Sequence, residues 1–196
     1  MSINSFNFSV EYFKEQNRVN DLLPMHFIAE ALQLIEKCYR GGKQIFIIGN
    51  GGSASTASHM VCDFQKFILG YKGDRKIPRM KALSLSDNTE VLTAWANDVG
   101  YEVVFSEQLK NQAEEGDLLI ALSASGNSPN IIRAVDVAKL KGIKIIGLTG
   151  FAGGKLKELA DVPIHVESND YGIVENAHLM FGHMAARYLV EQNKVL

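Results

Sequence analysis

Short β-rich apolar runs recur along this chain between longer segments of helical period, and few folds admit that alternation. The runs are KQIFIIG (43–49), MKALSLS (80–86), DLLIALSA (117–124), IKIIGLTG (143–150) and VPIHV (162–166). Five strands joined by helical crossovers predict an α/β domain, a doubly wound parallel sheet with ligands collecting at the C-terminal ends of the strands. Several runs end there in Gly, Ser or Thr. The 196 residues suffice for one domain with a full core, so a single unit spanning 1–196 is expected. Ahead of the first strand, residues 7–40 read as one or two amphipathic helices. The segment FIAEALQLIEKCYRGGK spaces its apolar residues at three and four and closes on Gly41-Gly42. The apolar stripe over 23–38 lies outside the sheet pattern and is expected to meet either this subunit or another, implying some association.

Composition narrows the partners. With 46% hydrophobic and 21% charged residues and a net charge of −2, the chain has no general attraction for nucleic acid or membrane. Its apolar runs are too short to span a bilayer, and the start lacks the order of a signal peptide, so a cytoplasmic location is expected. Cys38 and Cys62 form no C-x-x-C pair and read as small buried hydrophobes. The stretch 69–79 carries Lys72, Arg75, Lys76 and Arg79, with Lys81 just beyond, and reads as a solvated connection.

Two loops carry the chemistry. After the first strand comes GNGGS, then a helix starting near Ser53, an outline that suits an anion at a helix N-terminus. It is neither a P-loop nor the G-x-G-x-x-G dinucleotide turn, because Ala54 stands where the third glycine belongs. After the third strand comes LSASGNSPN, in which Ser123, Ser125 and Ser128 supply hydroxyls, Gly126 a tight turn and Pro129 the first residue of a helix. Ser128 can serve as N-cap, worth about 1 kcal/mol, but three serines exceed what one cap requires. Both loops fall at the same rim, which favours a phosphate held by hydroxyls and amides. Within IIGNGGSASTASHMVCDF, His59 and Asp63 are four residues apart and share one helical face.

These residues carry a resemblance. GNGGSASTASH, LSDNTEVLTAWAND, LSASGNS, LTGFAGGKLKELAD and ENAHLMFGH, spread from about residue 20 to the end, resemble the sugar isomerase (SIS) domain and specifically the phosphoheptose isomerase family. The resemblance implies a flavodoxin-like sheet, a homotetramer with active sites at subunit interfaces, and conversion of sedoheptulose 7-phosphate to D-glycero-D-manno-heptose 7-phosphate, a lipopolysaccharide or capsule precursor. It places substrate contacts at Asn50, Gly51, Gly52, Ser53, Asn97, Asp98, Ser123, Ala124, Ser125, Ser128 and Glu175, with Ala124 standing where the family has Thr.

The same resemblance places one Zn2+ or similar divalent ion per site on His59, Asp63, Glu175 and His183, where the family carries Glu at position 63 and Gln at position 175. Asp63 is one methylene shorter, so its carboxylate falls about 1 Å short, an error that matters in proton transfer. A carboxylate at Glu175 can accept a proton where Gln cannot. The expected reaction is an aldose–ketose isomerisation through an enediol, with Asp63 or Glu175 as base and His183 as acid. His178, one turn from Glu175, is a candidate substitute ligand, whereas His26 and His165 read as structural. Two other readings stand beside this one: an isomerase for another ketose phosphate, and a non-catalytic SIS protein that regulates by binding sugar phosphate or serves as a DnaA-associating platform.

Overall fold

The computed structural model describes residues 3–70, 73 and 76–194; Lys72 and Arg75 of the basic stretch lie outside the described residues. Helices α1 (Ser5–Asp21) and α2 (Met25–Arg40) precede β1 (Gln44–Ile48) and α3 (Gly52–Gln65). Then come β2 (Lys81–Ser84), α4 (Thr89–Asp98), α5 (Ser106–Gln112), β3 (Leu118–Ser123) and α6 (Pro129–Leu140). The chain closes with β4 (Lys144–Thr149), α7 (Gly154–Leu159), β5 (Val162–His165) and α8 (Tyr171–Lys194). All strand pairs are parallel, in the order β2-β1-β3-β4-β5. This is the flavodoxin-like order, whose direction of winding reverses between β1 and β3.

The pleat explains why the sheet is covered on both faces. Ile45, Ile47, Leu118, Ile120, Leu122, Ile146 and Leu148 point to one core, shared with residues of α2, α3 and α8. Phe46, Ile48, Leu119, Ala121 and Ile145 point to the other, shared with α5 and α6. The central strand β3 is buried along its entire length, as a run without alternation requires. Caps set two of the helix starts: Asn4 Oδ1 accepts from the Asn7 amide and Asn88 Oδ1 from the Val91 amide, both at 3.0 Å.

One sequence expectation is resolved between its two alternatives and another is corrected. The stripe over 23–38 is consumed within this chain: Leu23, Ile28, Ala31, Ile35, Cys38 and Tyr39 are all buried in the α2/α3/α8 core. Large apolar side chains left exposed include Phe6 and Phe13 on α1, at 74% and 67%, with others such as Leu140, Tyr171 and Val99 elsewhere. Cys38 is buried, and desolvation pushes its thiol up to about 12, but Cys62 is exposed. Met60 and Phe64, one turn apart, turn the inner face of α3 to the core, and position 62 is nearly opposite on a 3.6-residue helix.

Helices α3 and α8 lie side by side and run the same way. A Cβ at Gly52 would stand 2.4 Å from Glu175 Oε2, and one at Gly182 would stand 2.6 Å from Met60 Cγ. Asp63 reaches His183. Early pairs with early and late with late, so the two helices carry their functional side chains in parallel away from the sheet rim.

Candidate functional site

The winding reverses between β1 and β3, and the loops leaving those two strands diverge there to open a crevice. A cavity of about 210 Å³ fills it, lined by Asn50, Ser53, Ser123, Ala124, Ser125, Ser128, Tyr171 and Glu175, with Leu122 at its base. Two helix N-termini meet at this cavity. Gly51 precedes α3 at φ 53°, a left-handed conformation that side chains disfavour, and Ser53 follows in the first turn. Ser128 precedes α6 at the cap position, yet its side chain makes no capping bond and instead lies 3.4 Å from Ser123 Oγ. Of the two uses the sequence offers Ser128, this geometry leaves its hydroxyl to the cavity.

The serine loop is pre-set for an anion. Ser123 Oγ accepts from the Gly126 amide at 3.1 Å and Ser125 Oγ from the Asn127 amide at 3.3 Å. With an oxygen lone pair committed to backbone, each hydroxyl retains its hydrogen as a donor. Helix dipoles and free amides reinforce that preference for negative charge. Gly126, at φ 67°, is pressed so closely on the next loop that a Cβ there would strike the Gly153 carbonyl. Ala124 lines the cavity without a hydroxyl.

Asn50 is held from two sides. It exchanges amide hydrogen bonds with Asn130, at 3.0 and 2.8 Å, and accepts a third from the Tyr101 hydroxyl at 3.0 Å. Neither Asn130 nor Tyr101 was singled out from the sequence, nor was Tyr171. A buried asparagine in the first turn of a helix, as in SPN, was the available signal for Asn130. Asn97 and Asp98 lie exposed at the end of α4, bonded to each other at 2.8 Å, and do not line the cavity of this chain. They stand within one helical turn of Tyr101 in the sequence.

Farther along α3 and α8, His59, Asp63 and His183 bring one donor atom each to within 4.8 Å of one another. His183 Nδ1 lies 2.8 Å from Asp63 Oδ2, and His59 Nε2 lies 3.7 Å from the same oxygen. The two imidazole side chains are about half exposed and the Asp63 side chain 14% exposed, so the cluster opens outward. Two imidazoles and a carboxylate fit a zinc-like divalent ion with an open position.

Glu175, the fourth expected donor, is not brought into that group. Its carboxylate rests against Gly52, at the level of the first turn of α3, whereas His59 and Asp63 project from later turns. It faces the serine loop instead. His178 also stands outside the donor group: it is 1% exposed, with Nε2 3.3 Å from the Thr149 carbonyl, and burial pushes it down to about 4. His165 shares a 3.1 Å hydrogen bond with Thr149 Oγ1, and burial, helped by Lys157, lowers its pKa. His26 is exposed and stacks on Phe27 with ring centroids 4.0 Å apart.

Residues 12–150 match the SIS domain family. A phosphoheptose isomerase of Aneurinibacillus thermoaerophilus is 41% identical over 170 residues, covering 83% of each chain. Among solved structures, the phosphoheptose isomerase GmhA of Neisseria gonorrhoeae superposes with a TM-score of 0.85 at 28% identity, over 95% of this chain and 98% of that one. A phosphoheptose isomerase of Francisella tularensis gives 0.88 at 25% identity, over 96% and 100%.

Proposed function

The chain belongs to the SIS domain family, within its phosphoheptose isomerases, and from that premise we propose how its residues perform the reaction. It is an isomerase that converts sedoheptulose 7-phosphate to D-glycero-D-manno-heptose 7-phosphate in heptose biosynthesis. The observation that carries our reading of the site is one of placement. A hydroxyl-lined cradle at two helix N-termini and a His-Asp-His group lie along the same two helices, with Glu175 beside the cradle.

The phosphate sits against Ser53, Ser123, Ser125 and Ser128 and positions the chain without reacting. Glu175 shares the cavity, and a second anion beside it is repelled, so the phosphate takes the serine side and the sugar the Glu175 side. Asn50, with Gly51 and Gly52, contacts the sugar, and Asn97 and Asp98 complete the contacts across a subunit interface. The reacting end of the open-chain ketose lies toward Asp63 and His183. Asp63 removes a proton from C1 while the C2 oxygen gains one, giving the enediol; Glu175, about 12 Å from His183 along α8, stands at the cradle and positions the sugar. Return of a proton to C2 from His183, with loss of the O1 proton, leaves the aldehyde at C1. The hydrogen bond between His183 Nδ1 and Asp63 Oδ2 orients the His183 ring.

His59, Asp63 and His183 are the residues that hold a divalent ion, Zn2+ or similar; when bound it polarises the carbonyl and hydroxyl oxygens of the substrate. We assign the assembly as a homotetramer in the cytoplasm, its precursor serving lipopolysaccharide or capsule. Among the described residues no helix is long and apolar enough to cross a membrane.

The test is elemental analysis of the purified protein, followed by NMR of sedoheptulose 7-phosphate with metal stripped and with zinc restored. The expected result is bound metal and zinc-dependent conversion. Conversion undiminished after stripping refutes the metal assignment. Binding of the sugar phosphate without conversion refutes the reaction and favours another ketose phosphate or a regulatory role.

A further inference from the structure

The side-chain amide of Asn50 has a defined polarity, and the surrounding bonds say which. Asn50 Nδ2 donates to Asn130 Oδ1 at 3.0 Å, and Asn130 Nδ2 donates to Asn50 Oδ1 at 2.8 Å. Such a reciprocal pair is symmetric by itself, because turning over both amides restores two good bonds. The Ile131 backbone breaks the tie. Its N–H, which can only donate, is shared between Asn130 Oδ1 and the Ser128 carbonyl, each at 3.0 Å. A turned Asn130 would set its NH2 against that N–H, leaving two donors face to face at a residue only 2% exposed. Asn130 is therefore fixed, and through it Asn50.

The Asn50 amide is then almost fully committed. Its Oδ1 accepts from Asn130 and from the Tyr101 hydroxyl, which fills both lone pairs. One Nδ2 hydrogen goes to Asn130. What remains for the cavity that Asn50 lines is a single N–H.

We propose that Asn130 and Tyr101 are positioning residues that make Asn50 a donor-only group toward the substrate. The proposal rests on the isomerase reading of this site. A donor-only group at the sugar recognises an oxygen that accepts and rejects a donor in its place. Asn50 stands thirteen residues, about 19 Å, before Asp63 along α3, so the oxygen it holds belongs to the end of the sugar near the phosphate, a contribution to binding more than to turnover. Phosphate capture belongs to the serine loop and is untouched by the two positioning residues.

Three measurements on the full-length protein test this. In protein labelled with [15N]asparagine, the Asn50 side-chain signal is assigned by its loss in Asn50→Asp. One of its two protons should be shifted downfield and exchange with water more slowly than those of the exposed asparagines. In Asn130→Ala that protection should disappear. With sedoheptulose 7-phosphate, Tyr101→Phe and Asn130→Ala should each raise KM about tenfold and move kcat less than about threefold, the loosening of one binding donor rather than its removal. Tyr101 is half exposed, so its variant folds even where Asn130→Ala does not. Unchanged KM in Tyr101→Phe, or an Asn50 amide that exchanges freely in the unaltered protein, overturns the proposal. Absence of turnover in the unaltered protein refutes the isomerase reading instead, and the protection of the Asn50 proton still decides whether the amide is locked.

Discussion

At the scale of single residues, the site is shaped as much by side chains that are missing as by those present. Gly52 leaves the space that the Glu175 carboxylate occupies, and its backbone is not in the left-handed region. Gly52→Ala is therefore expected to cost under about 1 kcal/mol in a urea titration, because the group displaced is the free end of a flexible side chain. The displaced carboxylate should lower kcat/KM about tenfold, since misplacing a group that positions the substrate by an ångström has effects of this size or larger. His178 gives a pH prediction. Its folded pKa lies near 4, below the ordinary value of 6.5, so between those values the unfolded chain binds more protons. Stability should hold above pH 6.5 and fall as the pH drops from 6.5 toward 4, by roughly 2–3 kcal/mol. Unfolding free energies across this range, compared with those of His178→Gln, measure the difference; equal slopes would remove His178 as the cause.

At the scale of elements, the pairing of α3 with α8 decides which donors meet. Gly182 lets α8 approach Met60, and Gly182→Ala should part the helices at about 1–3 kcal/mol, as overpacking does. Because His183 is the next residue, the same change should weaken zinc binding in a chelator competition while leaving phosphate binding at the serine loop intact. The elements themselves were legible in the sequence: each of the five strands begins and ends within two residues of its apolar run, uninterrupted in β3, which is buried on both faces, and alternating in the edge strands β2 and β5. The i, i+4 spacing of His59 and Asp63 likewise announces a shared face. Spacing on one helix, however, says nothing about the level of the neighbouring helix. Glu175 and His183 share a face of α8, but eight residues put them about 12 Å apart along its axis, and only His183 stands level with Asp63. The stripe over 23–38 left its partner open for a similar reason. Periodicity shows that a face is buried without showing what buries it.

At the scale of the whole molecule, α1 carries part of the apolar surface left exposed. Phe6 and Phe13, two turns apart, present one face that is mostly exposed in the single chain. If that face is consumed in the proposed tetramer, Phe6→Glu with Phe13→Glu should shift the sedimentation profile to smaller species. Unaltered sedimentation would place the interface elsewhere. The bonded pair Asn97 and Asp98 lies away from the cavity within one chain, consistent with a role that needs a second subunit, and loss of the assembly should then raise KM.

The central claim is that the His183–Asp63 pair isomerises a sugar phosphate held in the serine cradle. It is tested most directly by following sedoheptulose 7-phosphate by NMR with the unaltered protein, Asp63→Ala and His183→Gln, each checked for substrate binding by titration. The account predicts conversion to the aldose by the unaltered protein and a loss of at least about a hundredfold in each variant, with binding retained, the usual size of a general acid–base contribution. Turnover unchanged in His183→Gln would contradict it.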